Sequence, residues 1–176
     1  MKPTPLVKAV GPGLRTALMN EIDGREFYRM AAQNAGSAGV REMFEFLMAE
    51  EDQHYQALVA QAGRLADGKP LRFKRSASGR KKLGEFRGGL VSPGMVADSR
   101  KAEGEIAALS IGMTLEQRAM RQFAALRKKA EAAGDEAAVS VFSGLVAWEK
   151  DHLDLLESRY NALREAYWEE ARFWPF

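Results

Sequence analysis

The stretch Glu51-Asp52-Gln53-His54 recurs in its spacing at Glu149-Lys150-Asp151-His152, so a glutamate precedes a histidine by three residues at two places in the chain. These two Glu-x-x-His stretches contain the only two histidines of the 176-residue sequence. On an α-helix, residues three apart lie on the same face, nearly one turn from each other. Each stretch therefore places a carboxylate and an imidazole side by side, as half of a metal site requires.

Apolar residues surround both stretches at the three-and-four spacing that one face of an α-helix produces. The residues that share a face with the first pair are Val40, Phe44, Leu47, Leu58, Ala62 and Leu65, and those that share a face with the second pair are Ala138, Phe142, Leu145, Leu156, Tyr160 and Leu163. The pattern predicts that both Glu-x-x-His pairs point into the core of a helical bundle.

Two further glutamates, Glu21 and Glu116, interrupt apolar stripes on two other predicted helices. Each lies about thirty residues before the glutamate of a Glu-x-x-His pair, and an aromatic residue, Tyr28 or Phe123, follows it two helical turns later. Such internal repetition indicates two related helix hairpins whose equivalent residues meet at the centre of the bundle.

The chain is predicted to be all-α, a single domain of residues 1–176 with helices at about 14–35, 40–65, 102–133 and 136–170. Residues 1–13 are rich in proline and glycine, which predicts an irregular lead-in. The basic stretch 66–101 predicts a long crossover that lets the second and third helices run parallel. The short linker around Gly134 makes the third and fourth helices antiparallel neighbours.

The composition narrows the chemistry of any metal site. The chain has no cysteine, so oxygen and nitrogen ligands must bind the metal, which favours iron, manganese or zinc. Lys and Arg number 26 against 24 Asp and Glu, a near balance that gives no general attraction to nucleic acid. No apolar run is long enough for a signal peptide or a membrane span, so a cytoplasmic protein is expected.

Two peripheral segments have distinctive compositions. The segment 69–87 is basic and could serve an acidic partner or nucleic acid, although a solvated crossover is the favoured interpretation. The C-terminal tail is rich in aromatic residues that are expected to cover the end of the bundle or a partner subunit. These residues are Tyr160, Tyr167, Trp168, Phe173, Trp174 and Phe176.

The inward-facing charged residues need compensation. Four carboxylates and two imidazoles would share the bundle centre, and no Lys or Arg is evident on their stripes. A buried carboxylate is costly unless it is paired or bound to metal, and two divalent cations would neutralise the four carboxylates. The alternative is a metal-free bundle with incidental Glu–His hydrogen bonds, which would leave several carboxylates uncompensated.

One glutamate from each of two helices and Glu-x-x-His from each of two others is the arrangement of di-iron and di-manganese carboxylate bundles. The sequence resembles the rubrerythrin family of the ferritin-like superfamily, and the resemblance covers about residues 14–65 and 102–165. Residues 17–28 are similar in sequence to the first helix of that family, and residues 44–54 are similar in sequence to the second. The resemblance implies a ferritin-like four-helix bundle with a long crossover.

The resemblance also implies a site and an activity. Glu51 and Glu149 would bridge two iron ions, with manganese or zinc as alternatives; the remaining ligands would be Glu21 and His54 for one ion, and Glu116 and His152 for the other. The implied enzyme reduces hydrogen peroxide or oxygen, as a defence against oxidative stress, and forms a homodimer. Tyr28 would stand beside the metals as a hydrogen-bond donor or electron relay, or be an ordinary core aromatic residue.

Two departures from the family leave alternatives open. The cysteine-rich rubredoxin domain of typical rubrerythrins is absent from this chain, so electrons would come from a separate donor protein. Ala119 stands where the classical family has an extra glutamate, which leaves room for ferroxidase or oxidase behaviour. A protein that stores or binds iron without turnover is the alternative function, and an oxidase that generates radicals or hydroxylates a substrate is less favoured.

Overall fold

The computed structural model describes residues 4–72, 75, 83–86 and 99–170, and α-helix is the only regular secondary structure in these residues. Four long helices make up most of the structure: α1 (Pro5–Asn34), α2 (Ala38–Ala66), α3 (Ser99–Ala132) and α4 (Glu136–Glu170). A short helical turn occupies residues 83–86. The prediction of an all-helical bundle is confirmed.

The prediction of an irregular lead-in is wrong for residues 5–13, because α1 begins at Pro5. Thr4 accepts a hydrogen bond from the Val7 amide at 3.3 Å and caps the helix, and Pro5 occupies a first-turn position that needs no amide donor. Pro12 lies inside the helix, which nevertheless continues through it with Val10 and Leu14 buried on the core side. Tertiary packing here overrides the local signal of the helix breakers.

The two connections within hairpins are short and capped. Ser37 accepts a hydrogen bond from the Val40 amide at the start of α2, and its own amide donates to the buried Glu105 carboxylate of α3 at 2.8 Å. Gly134, with φ of +66°, ends α3, and Asp135 then accepts from the Ala138 amide to cap α4. Both hairpins are therefore antiparallel.

Contacts between α1 and α3 define the order of the bundle. In the first third of α1 the Gly13 carbonyl accepts from Gln122, and about four-fifths of the way along the helix Tyr28 donates to Glu116. Because α1 is antiparallel to both α2 and α3, the helices α2 and α3 run parallel. The connection 67–98 therefore links opposite ends of the bundle, although most of it lies outside the described residues.

The core consists of two apolar clusters at either end of the bundle, with the predicted metal ligands between them. One cluster includes Val10, Leu14, Leu58, Phe123, Leu126, Phe142, Leu145 and Trp148. The other includes Tyr28, Val40, Phe44, Leu47, Leu109, Leu155, Leu156 and Leu163. The charged residues thus form a polar layer inside an otherwise apolar core.

Part of the aromatic tail can be placed. Tyr160 packs against the second apolar cluster, Tyr167 donates to Glu103 of α3 at 3.0 Å, and the Arg164 guanidinium lies 4.7 Å from the centre of the Trp168 ring. Phe173, Trp174 and Phe176 lie outside the described residues. In the part of the chain that is described, no helix contains an apolar stretch long enough to cross a membrane.

Candidate metal centre

All six predicted ligands lie buried in the middle of the bundle, where α1 and α3 each supply one glutamate and α2 and α4 each supply a Glu-x-x-His pair. None of the six is more than 5% exposed, and Glu149 and both histidines have no exposed surface. The helical period brings each glutamate and histidine of a pair onto one face, and the packing of the four helices brings these faces together.

His54 directs its Nδ1 atom at three carboxylates. The distance from Nδ1 is 3.2 Å to Glu21 Oε2, 3.6 Å to Glu51 Oε2 and 3.1 Å to Glu149 Oε1. These carboxylates come from α1, α2 and α4, so the imidazole faces the centre of the bundle.

His152 directs its own Nδ1 at three carboxylates in the same way. The distance is 3.7 Å to Glu51 Oε1, 3.9 Å to Glu116 Oε2 and 3.6 Å to Glu149 Oε2. The two imidazole rings are nearly parallel, with 18° between their planes and 5.1 Å between their centres.

Together these contacts divide the carboxylates into two kinds. Glu51 and Glu149 each direct one oxygen to His54 and the other oxygen to His152, whereas Glu21 contacts only His54 and Glu116 contacts only His152. One ligand atom each from Glu51, His54, Glu149 and His152 lie within 4.8 Å of one another. This buried group could hold a metal ion.

The polar atoms of this group also fit a metal. Within the described part of the chain, both Glu149 oxygens, both His152 nitrogens and His54 Nε2 are buried without a hydrogen bond of good geometry, although Glu149 Oε1 lies 3.1 Å from His54 Nδ1. Buried polar atoms normally have a partner, and five atoms without such a hydrogen bond in one cluster are unusual. A mixture of carboxylate oxygen and imidazole nitrogen suits iron, manganese and zinc, so the residues present fit the expected ions.

Without a metal, the charge of the site depends on the protonation of its four glutamates and two histidines. Burial raises the pKa of Glu21, and repulsion from Glu51 raises it further. Burial likewise raises the pKa of Glu116, with added repulsion from Glu51 and Glu149. These two outer carboxyl groups therefore keep their protons well above the ordinary pKa of glutamic acid.

The inner groups of the site shift in the opposite sense. Burial alone would raise the pKa of Glu51 and of Glu149, but the two nearby histidines outweigh burial and lower it. Burial alone would lower the pKa of His54 and His152, but the carboxylates raise it well above the ordinary value. In the absence of metal the shifts therefore favour protonated imidazoles beside the Glu51 and Glu149 carboxylates, and disfavour ionisation of Glu21 and Glu116.

Tyr28 joins the site from α1, through a hydrogen bond from its hydroxyl to Glu116 Oε1. Its ring is buried and stacks on Phe44, with 6.0 Å between ring centres. Burial and the charge of Glu116 raise the pKa of the phenol well above its usual value, so Tyr28 keeps its proton. Its catalytic role stays a prediction.

The sequence pattern missed three residues that lie on the histidine side of the centre: Glu50, Trp148 and Arg75. Glu50 and Trp148 are buried on α2 and α4, each immediately before a glutamate of the site. A basic side chain does reach the surroundings of the centre, although none is evident on the helical stripes: the Arg75 side chain is only 8% exposed and pairs with Asp151 and Glu50. Arg75 comes from the crossover, where no helical pattern could predict its approach to the site. Glu50 could have been noticed from the sequence, because it directly precedes Glu51.

A cavity of about 100 Å³ opens between α1 and α3 on the side of the outer carboxylates. Its lining includes Asn20, Glu21, Gly24, Tyr28, Glu51, Glu116 and Ala119. The opposite, histidine side is covered by Trp148, whose ring centre lies 4.1 Å from that of His54, and by Phe46 beside His152. Small molecules therefore have a route to the carboxylate side, where glycine and alanine leave space.

Comparisons with family models, with curated proteins and with solved structures found no match to this chain. The assignment of a function therefore depends on the residues of the site and on their geometry.

Proposed function

We propose that this chain is a ferritin-like di-metal carboxylate protein that binds two iron ions. Glu51 and Glu149 would bridge the ions, Glu21 and His54 would complete one set of ligands, and Glu116 and His152 the other. The observation that carries the proposal is the sharing of Glu51 and Glu149, each of which offers one oxygen to the side of each histidine. Manganese and zinc accept the same donor atoms.

The activity that this arrangement supports best is reduction of hydrogen peroxide or oxygen, as in rubrerythrins. When bound, two ferrous ions supply two electrons, and peroxide takes up these electrons and two protons to leave as two water molecules. The cavity beside Glu21, Glu51 and Glu116 exceeds the roughly 10–15 Å³ that one water molecule needs, so a small oxidant can approach the carboxylate side. Tyr28 holds a proton at its hydroxyl on the wall of this cavity.

The proposal includes an external source of electrons. These 176 residues contain no cysteine to bind an iron–sulfur or rubredoxin-type centre, so the electrons that reduce the site after each turnover would come from a donor centre outside these residues. A homodimer and a cytoplasmic location remain predictions that accompany this proposal.

Anaerobic loading with Fe²⁺, followed by rapid mixing with H₂O₂ or with O₂, tests the proposal. We expect two irons per chain, and absorbance changes that show faster oxidation by peroxide than by oxygen. Faster oxidation by oxygen would instead indicate a ferroxidase or oxidase, and bound iron that neither oxidant reaches would indicate storage. A chain that binds no iron would refute the proposal.

A further inference from the structure

The two halves of the centre differ at the position immediately before each shared glutamate. The residue immediately before the shared glutamate is Glu50 on α2 but Trp148 on α4, although the internal repeat makes these positions equivalent. Both side chains are buried, with 1% and 2% of their surface exposed. A carboxylate and an indole at equivalent buried positions give the two histidines different surroundings.

Glu50 lies behind His152. Its Oε2 is 3.5 Å from His152 Nε2, the ring nitrogen that points away from the shared carboxylates. Two donors orient the Glu50 carboxylate: Trp148 Nε1 binds Oε2 at 2.8 Å, and Gln53 Nε2 binds Oε1 at 2.9 Å. A small rotation of the imidazole would bring Nε2 within hydrogen-bond distance of a carboxylate that is already fixed in place.

His54 has no equivalent carboxylate behind it. The Trp148 ring meets the His54 ring edge to face, with planes at 83°, and the Trp148 N–H donates to Glu50 instead. Among the residues that the structure describes, neither imidazole has a hydrogen bond at Nε2, but His152 Nε2 has the Glu50 carboxylate 3.5 Å away and His54 Nε2 faces no such group. The carboxylate therefore supports one imidazole of the pair and not the other.

Arg75 makes a buried charge at Glu50 tolerable. The Arg75 Nη2 atom is 3.6 Å from Glu50 Oε2, and its guanidinium lies 4.9 Å from the centre of the Trp148 ring. A buried carboxylate without such a partner would be costly. The crossover thus contributes to the surroundings of His152 through Arg75.

We infer that Glu50 is a positioning residue that orients His152 and makes the two metal positions unequal, with the tighter ion at Glu116 and His152. The inference rests on the proposed two-metal function. A carboxylate behind a ligating histidine holds the N–H on the far nitrogen, leaves the near nitrogen free to bind metal, and makes the imidazole a stronger donor. Loss of such a partner typically weakens metal affinity by about 10–100-fold.

Titration of the metal-free full-length chain with Co²⁺ at one fixed pH, followed by visible absorbance, tests this inference. The unmodified chain should bind two Co²⁺ in two steps of different affinity. Glu50→Gln should weaken the tighter step by about 10–100-fold and leave the weaker step unchanged. Glu45→Gln, an exposed change on the same helix, is the matched control and should alter neither step.

Double variants identify which ion responds. With Glu21→Gln the remaining ion is the one at His152, and adding Glu50→Gln should weaken it. With Glu116→Gln the remaining ion is the one at His54, and adding Glu50→Gln should have no effect. A general loss of structure would weaken both ions, which separates positioning from simple stabilisation.

The inference is overturned if Glu50→Gln leaves both steps unchanged or weakens both equally. If circular dichroism shows that Glu50→Gln does not fold, Glu50→Asp replaces it, because aspartate keeps the charge but withdraws it from His152, and an unchanged tighter step would again overturn the inference. An unmodified chain that binds fewer than two Co²⁺ contradicts the proposed function itself, whereas two equal steps contradict only the inequality.

Discussion

At the scale of single residues, Glu51 and Glu149 differ from Glu21 and Glu116 in how many histidines they contact. Each shared glutamate faces both imidazoles, whereas each outer glutamate faces one. The difference does not follow from burial, since all four side chains are at most 5% exposed. It follows from position, because the shared glutamates lie on the same helices as the histidines.

Replacing a shared glutamate should therefore remove both ions. We expect Glu51→Ala and Glu149→Ala each to abolish binding of two metals, while Glu21→Ala and Glu116→Ala each retain one ion. Metal content after loading with Fe²⁺ and gel filtration measures this. Glu45→Ala and Glu157→Ala, which change exposed glutamates on the same helices, should leave two ions bound. Two ions retained by Glu51→Ala or Glu149→Ala would refute the bridging assignment.

A substitution at Tyr28 can distinguish a catalytic role of its hydroxyl from a packing role of its ring. Tyr28→Phe removes the hydroxyl that donates to Glu116 and keeps the stacking on Phe44. If the hydroxyl supplies a proton during turnover, both irons should still bind and oxidation by peroxide should slow by roughly 10²-fold in rapid mixing. Tyr55→Phe, on α2, serves as the control. An unchanged rate would make Tyr28 a core aromatic residue only.

At the scale of helices, α1 shows how packing extends an element beyond its local signals. An added Cβ at Gly13 would come within 2.6 Å of Leu126 Cδ2 on α3, while Gly11 has nothing within 4 Å. Gly13 therefore allows α1 and α3 to approach closely, and Gly11 has no such function. The two glycines lie in the same helical turn, so they form a matched pair.

Alanine substitutions at these glycines should have different effects on stability. Gly11→Ala should change the free energy of unfolding less than Gly13→Ala, because an added Cβ at Gly11 meets only its chain neighbours, and the following Pro12 offsets the helix preference of alanine. Gly13→Ala should lower the free energy of unfolding, because crowding against Leu126 in a packed core costs about 1–3 kcal/mol. Denaturant unfolding of both variants measures the difference. Equal effects at the two positions would contradict the close approach of α1 and α3.

The crossover is the second element whose role depends on tertiary packing. Arg75 pairs with Glu50, Leu83 is buried, and the Phe86 ring lies 5.2 Å from that of Phe46, which adjoins His152. These contacts place the described parts of the crossover on the histidine side of the centre. The cavity between α1 and α3 is on the other side, so the two sides of the site have different access to solvent.

At the scale of the whole molecule, the buried charges couple stability to pH. In the metal-free protein the pKa values of His54, His152, Glu21 and Glu116 are raised, so the folded state binds more protons than the unfolded chain. The histidine contribution is complete below the unfolded value of 6.5 and is lost as pH rises through the higher folded value. Glu51 and Glu149, whose pKa values are lowered, lose their contribution only in acid.

Metal-free protein should therefore unfold at a lower temperature as pH is raised above 6.5. Protein loaded with Zn²⁺ should not follow this trend, because metal binding displaces these protons and itself becomes stronger as pH rises. Calorimetry of both forms across this range measures the difference. A metal-free protein whose melting temperature rises over the same interval would contradict the charge arrangement described for the centre.

The helical period accounts for what the sequence alone determined. A repeat of 3.6 residues places Glu51 with His54, and Glu149 with His152, on single faces, and apolar neighbours direct those faces inward. The four long helices, the burial of all six candidate ligands and the mixture of their donor atoms could thus be predicted without a structure. Each of these features depends on residues close together in the chain.

Only the tertiary structure decided how the helices meet. Which oxygen of Glu51 or Glu149 faces which histidine, the approach of Arg75 to Glu50, the contact of Trp148 with His54 and the start of α1 at Pro5 all depend on residues far apart in sequence. Helical periodicity in the sequence does not predict such contacts, because they form only when the four helices pack closely against one another.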